Sequence, residues 1–281
     1  MRYEKVIIQK PDLDTCLTGL ICGVKEDDNI VVLSHDADEE DLRNPNVLCI
    51  ESGGSGLAHL NNFDHHDPVR CLPPACRQAY EAKGGDNDEL KRLVDYVCMV
   101  DEGLASEHTI EFPSLSNIFS GMLLIEPDKK RQFLKGLEIL NRVLQSHIDP
   151  FSTMPDLAEW EAYRSAKIEN QLMLSEALKG LSIYHSRRGI IIGFLQTEAI
   201  GGLEAIFARG CEVAVLYNPR FGIPPVVKFT IASRNIEVGH LIELLRKFED
   251  GWGGRQRIIG SPRSGSNMKP EELLSLLIEN F

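Results

Sequence analysis

Lys5-Val6-Ile7-Ile8-Gln9-Lys10-Pro11-Asp12-Leu13-Asp14 decides the fold. The short Val/Ile run reads as a buried strand, Pro11 breaks it, and Leu13 to Gly23 reads as a helix opening behind Asp12. The same grammar recurs outward. Ile30-Val31-Val32-Leu33-Ser34 is a second strand, Asp38 to Leu42 a short helix, and Val47-Leu48-Cys49-Ile50 a third strand. Apolar runs spaced by helical segments predict a parallel sheet covered on both faces. In such sheets sites form beyond the carboxyl ends of the strands. Asp12, Asp14, Glu51 and the triplet Asp64-His65-His66 all fall there.

From Pro74 to about His147 the period becomes helical, with Leu90, Leu93, Val97 and Val100 on one stripe and Phe133, Leu137, Leu140 and Leu144 on another. Ile148 to Pro155 reads as a linker with two prolines. Asp156 with Glu159 three residues on predicts a capping box. The long helix behind it is expected to turn Leu157, Trp160, Ile168, Leu172 and Leu178 inward. Beyond it the chain reads as strand (189–195), helix (202–208), strand (213–217), strand (226–231), helix (238–248), a glycine-rich segment and a last helix (270–280). Two domains are expected, 1–150 and 156–281, the second including the connecting helix.

The 281 residues are 43% hydrophobic, enough for two cores, and the net charge is −12. An acidic chain without a dense Lys/Arg run is a poor binder of long nucleic acid, which needs many phosphate contacts. The amino terminus has no signal-peptide pattern, and no apolar run has membrane-spanning length. Seven cysteines without a CxxC pair suit a reduced, cytoplasmic protein.

The candidate chemistry lies in Phe63-Asp64-His65-His66-Asp67, with Asp12-Leu13-Asp14, Glu51 and Asp101. Carboxylates and neutral imidazoles suit a divalent cation that holds a phosphate. Each residue also has a bland reading. Asp12 after Pro11 reads equally as a helix N-cap. Glu51 before Ser52-Gly53-Gly54 reads alone as a turn residue, and Asp101 as a helix-end surface residue. Taken together at sheet edges, they read as a site. A second cluster runs from Gly251-Trp252-Gly253-Gly254-Arg255 to Ser266, with Ser233-Arg234 one helix upstream. Glycines that admit backbone N–H groups, beside arginines, suit a phosphate, carboxylate or nucleotide.

These residues, in this order, resemble the DHH phosphoesterases, a family of single-strand exonucleases, oligoribonucleases, pAp phosphatases, cyclic-dinucleotide phosphodiesterases and manganese pyrophosphatases. The first motif corresponds to Ile8-Gln9-Lys10-Pro11-Asp12-Leu13-Asp14, the signature to Asp64-His65-His66, and a later acid to Asp101. Ser233-Arg234 and Gly251 to Arg255 resemble the family's C-terminal substrate-binding motifs. Three residues depart from the pattern: Ile8 stands for a His, Glu51 for an Asp, and Arg255 for a His.

The resemblance implies an α/β protein, with an N-terminal parallel-sheet DHH domain and a smaller α/β C-terminal domain. It implies Asp12 on one metal and Asp14 on another, Glu51 between them, and His65 and Asp101 on the second. Asp64 and His66 are the catalytic pair, with His66 on the phosphoryl group. Ser233, Arg234, Gly253, Gly254 and Arg255 would hold the far part of the substrate across an interdomain cleft. The expected activity is hydrolysis of a small phosphorylated substrate, a short nucleotide or oligonucleotide, with one or two Mn2+ or Mg2+ ions. A homodimer is compatible with this reading; a membrane or long nucleic acid partner is not. The alternative, motivated by Ile8, is a family member that binds a nucleotide or other anion without cleaving it.

Overall fold

The computed structural model describes residues 2–67, 69–85, 87–104 and 111–281. It divides into two compact units, Met1–Lys167 and Ile168–Phe281. The division falls within the connecting helix.

The first unit is built on a four-stranded sheet. Its strands are β1 (Lys5–Ile8), β2 (Ile30–Val32), β3 (Val47–Ile50) and β4 (Asn62–Phe63), in the order β2-β1-β3-β4. All neighbours are parallel, with Val6 opposite Ile30 and Leu48, and Ile50 opposite Phe63. Side chains alternate across a strand, so consecutive apolar residues serve two cores. Val6, Ile8, Leu48, Ile50 and Phe63 join the large core, while Ile7, Val47 and Cys49 pack with Ala37, Leu33 and Leu42 on the opposite face. Burying each Val or Ile side chain contributes about 1.5–3 kcal/mol, which is why such short strands hold.

The large core is closed by α1 (Leu13–Ile21), α3 (Ala75–Lys83), α4 (Asp88–Asp101), α5 (Leu115–Ile125) and α6 (Lys129–Gln145). The small face is covered by α2 (Glu39–Arg43). The helical stripes read from sequence bury Leu93, Val97, Phe133, Leu137 and Leu140. Because every strand runs the same way, the segments after β1, β3 and β4 leave one edge of the sheet together.

The connecting helix α7 (Glu161–Leu178) departs from expectation. It is preceded by a 3-10 turn, Ala158–Trp160, and Asp156 pairs with Arg164 rather than capping. Trp160 is buried in the first unit and Leu178 packs in the second, but Ile168 and Leu172 are exposed. The helix serves one core at each end, so no single apolar stripe runs its length.

The second unit carries a six-stranded sheet. Its strands are β5 (Ser182–His185), β6 (Ile191–Gln196), β7 (Val213–Phe221), β8 (Val226–Ser233), β9 (Gly253–Arg255) and β10 (Ile258–Gly260), ordered β5-β6-β7-β8-β10-β9. Only β6 and β7 are parallel. One face is packed with α8 (Gly202–Phe207), the other with α9 (Leu241–Arg246) and α10 (Pro270–Asn280). The glycine-rich segment contains the β9–β10 hairpin. Gly254, at φ +149, would place a Cβ 2.3 Å from the Ile258 carbonyl oxygen. No helix among the described residues is long and apolar enough to cross a membrane.

Candidate metal centre

Three chain segments leave the carboxyl edge of the first sheet carrying chemistry. After β1, Asp12 caps α1, accepting from the Thr15 N–H at 3.1 Å, and its other oxygen lies 3.3 Å from Lys10 Nζ. Both the capping and the ligand readings of Asp12 rest on this position, and the capping bond is the one formed.

Asp14, in the first turn of α1, is 1% exposed. Its two oxygens accept from the N–H groups of Ala75 (2.8 Å) and Cys76 (2.7 Å). Those are donors of the first turn of α3, whose own N-cap position is Pro74, without a side-chain cap. Asp14 therefore caps a helix 61 residues away.

After β3, Glu51 adopts a left-handed backbone (φ 45), strain of the kind that collects at sites. Its Oε2 accepts from the Thr15 hydroxyl at 2.6 Å. Its Oε1 lies 3.0 Å from His65 Nε2 and 3.3 Å from His66 Nε2. After β4, His65 also approaches Asp101 Oδ2, at 3.6 Å, at the end of α4. Ligand-type atoms of Glu51, His65 and His66 converge within 4.8 Å, as do those of Asp14, His65 and Asp101. His65 belongs to both groups.

Asp64 lies in neither group. Its carboxylate accepts from Gly53 N–H (2.8 Å), Ser55 Oγ (3.1 Å) and His66 N–H (2.6 Å), and its carbonyl from Gln78 Nε2 (3.0 Å). The first letter of the signature thus ties the loop after β3 to the loop after β4. Ile8 is fully buried in the large core, and His35 is exposed, its Nδ1 on the Asp36 carbonyl.

The electrostatics follow from crowding four acids and two imidazoles. Burial first and Glu51 second push the Asp14 carboxyl up to about 7, and the same causes raise Asp12. Burial raises Asp101 against the pull of His65. Burial alone would raise Glu51 too, but His65, His66 and Thr15 hold it well below the usual carboxylate range. The Glu51 carboxylate beside it pushes His65 up to about 9 against the cost of burial, with help from Asp101, and raises His66 as well.

The donor set fits a divalent cation. His65 Nε2 is buried between two carboxylates, 3.0 Å from Glu51 Oε1 and 3.6 Å from Asp101 Oδ2, without a well-aligned hydrogen bond to either. An imidazole nitrogen facing two carboxylates is placed as a ligand is placed. Beside it lies a cleft of about 480 Å3 lined by Lys10, Asp12, Asp14, Asp101, Asn117 and Lys167 among others. Sequence reasoning missed Lys167, and gave Lys10 and Thr15 no role. Thr15 alone left a signal, a hydroxyl directly after the Asp12-Leu13-Asp14 motif.

The residues of the second cluster lie in the other unit. Ser233 ends β8, its Oγ accepting from Ile236 N–H at 3.0 Å, and its own N–H donates to the Arg257 carbonyl in the β9–β10 turn. That turn is held against the α9 entry by Gln256, whose carbonyl accepts from Val238 and Gly239. Ser233 and the hairpin that carries Gly253, Gly254 and Arg255 are thereby joined. Arg234 is exposed and lies 4.9 Å over the Phe207 ring.

A parallel sheet with these acids and imidazoles at its carboxyl edge, followed by a mixed-sheet unit, has the fold of the DHH phosphoesterases. Among solved structures the chain is similar to the pGpG-specific phosphodiesterase PggH from Vibrio cholerae, at 14% identity over 99% of this chain and 98% of that one, with a TM-score of 0.60. It is also similar to the DHH domain of a member of the s1p family of ribosomal proteins, at 12% identity over 92% and 82%, with a TM-score of 0.53. No family model matches the sequence, and no curated protein does.

Proposed function

We propose that the protein is a metal-dependent phosphoesterase acting on a small phosphorylated substrate, a short oligonucleotide or nucleotide. One observation carries the reading: Asp14, Glu51, His65, His66 and Asp101 bring ligand atoms together at the carboxyl edge of a DHH-type sheet, around an imidazole nitrogen that faces two carboxylates. Asp14, Glu51, His65 and Asp101 would hold Mn2+ or Mg2+. When bound, such an ion supplies Lewis acidity toward a phosphoryl oxygen and lowers the pKa of water.

The remaining work falls to the chain itself. His66 is two-thirds exposed, and Glu51 beside it raises its pKa and so favours the protonated form that could donate to a phosphoryl oxygen arriving from solvent. Asp64 positions it through the bond from His66 N–H. Lys10 and Lys167, in the cleft wall, offset the charge of an incoming phosphate. Ser233, Arg234, Gly253, Gly254 and Arg255 are assigned to the far part of the substrate. The likeness to a pGpG-specific enzyme supports a linear dinucleotide as the first substrate to try.

The test is hydrolysis of pGpG, pApA, pAp, pyrophosphate and bis-p-nitrophenyl phosphate with and without Mn2+, beside His65→Ala. Metal-dependent turnover abolished in the variant is expected. A folded, metal-loaded protein inert on all five would replace hydrolysis with anion binding.

A further inference from the structure

The geometry points to a centre for a single divalent cation, with Thr15 as the residue that fixes it, rather than the two-cation arrangement the sequence pattern suggests. This rests on the metal-centre reading above. Four observations carry it.

First, the two groups of converging ligand atoms share His65 and neither includes Asp12. Both groups are built on one imidazole. Second, Glu51 presents one oxygen to that imidazole. Its Oε2 is taken by the Thr15 hydroxyl at 2.6 Å, between two buried residues, so Oε1 alone faces His65 and His66. Third, Asp12 pairs with the Lys10 ammonium besides accepting from Thr15 N–H, whereas the two donors on Asp14 are neutral backbone N–H groups that leave its charge for a cation. Thr15 therefore holds Asp12 and Glu51 at once, one through its backbone and one through its side chain. Fourth, the side chain that would serve a cation at Asp12 from β1 is Ile8, which has no donor atom and is buried in the core. A second ion there would have to displace Lys10 and accept a site without an imidazole. Lys10 supplies a positive charge at that position instead.

The experiment is titration of the metal-free full chain with Mn2+ alone, followed by calorimetry and by electron paramagnetic resonance. Saturation at one ion per chain with an uncoupled six-line spectrum is expected. Two ions with an exchange-coupled spectrum would overturn the single-cation inference and leave the phosphoesterase reading standing. No binding at all would overturn both. Thr15→Val keeps the shape and deletes the hydroxyl; it should weaken Mn2+ binding by roughly 10–100-fold, the usual cost of losing a partner behind a ligand, and Thr15→Ser should restore it. Unchanged affinity in a folded Thr15→Val protein would remove Thr15 from the centre. The wild-type stoichiometry decides the main point even if that variant fails to fold.

Discussion

Replacing Asp14 by Asn should move stability and metal binding in opposite directions. The ordinary carboxyl value is 3.8, and burial beside Glu51 pushes Asp14 up to about 7. Each tenfold change in proton affinity is worth about 1.4 kcal/mol. Keeping this carboxylate ionised at pH 8 thus costs the metal-free fold roughly 4 kcal/mol. Asparagine removes the charge and keeps the shape. Its carbonyl can accept from one of the Ala75 and Cys76 N–H groups, and leaving the other buried donor unpaired costs about 1–3 kcal/mol. Charge relief is the larger effect. The metal-free variant should be more stable at pH 8 by about 1–3 kcal/mol, a rise in Tm of roughly 2–5 °C for a chain of this size.

The sign of the pH dependence provides a second check. A raised carboxyl pKa means the folded state binds more protons than the unfolded chain between about pH 4 and 7. The contribution of Asp14 to wild-type stability therefore falls as pH rises through that window. The advantage of Asn should shrink toward pH 4, where Asp14 is protonated in the fold. Saturating Mn2+ should reverse the order, since only a chain that binds the ion gains from it. Thermal unfolding in EDTA at pH 8 and pH 4.5, then with Mn2+, tests all three. A metal-free Asn variant that is less stable at pH 8, or a gap independent of pH, would refute the reasoning.

Three further outcomes are expected. His65, pushed up to about 9, carries a proton at pH 7 in the metal-free protein and must lose it to become a ligand. Mn2+ binding at pH 7 should therefore release roughly one to two protons, one from His65 and part of one from Asp14, and tighten as pH rises toward 9, read by calorimetry in two buffers of different ionisation enthalpy. Asp64→Ala strips the acceptor from Gly53 and His66 N–H groups, so it should cost about 1–3 kcal/mol in a denaturant melt and weaken Mn2+ by about tenfold or more. Gly121→Ala would bring a Cβ to 1.9 Å from the Tyr163 carbonyl oxygen, where backbone cannot give way. It should destabilise by about 1–3 kcal/mol or more while the Mn2+ stoichiometry of the surviving fold stays the same.

Much of the site was legible because its residues sit where short-range rules place them. Val/Ile runs punctuated by Pro11 and by Ser52-Gly53 fix strand ends, and parallel strands must deliver those ends to one edge. Glu51 and the Asp64-His65-His66 triplet could be placed at that edge on this argument alone. The individual roles were less accessible. Asp64 looked like a reacting group from its motif, but its carboxylate is occupied by three donors from two loops. Asp14 looked like a ligand only, but it also caps α3 from across the core. The α7 stripe failed for another reason: a periodic pattern cannot say that a helix serves two cores.

The sequence by itself determined the strand–helix alternation, the sheet edge on which the acids and imidazoles gather, and the identity of the donor atoms. Those follow from hydrophobic period and turn chemistry, which act over a few residues. The tertiary structure decided which partner each acid oxygen meets. Thr15 reaches Glu51 across 36 positions, and the α3 donors reach Asp14 across 61 and 62. Contacts that distant in sequence exist only once the chain has packed, and they set the partners of each acid.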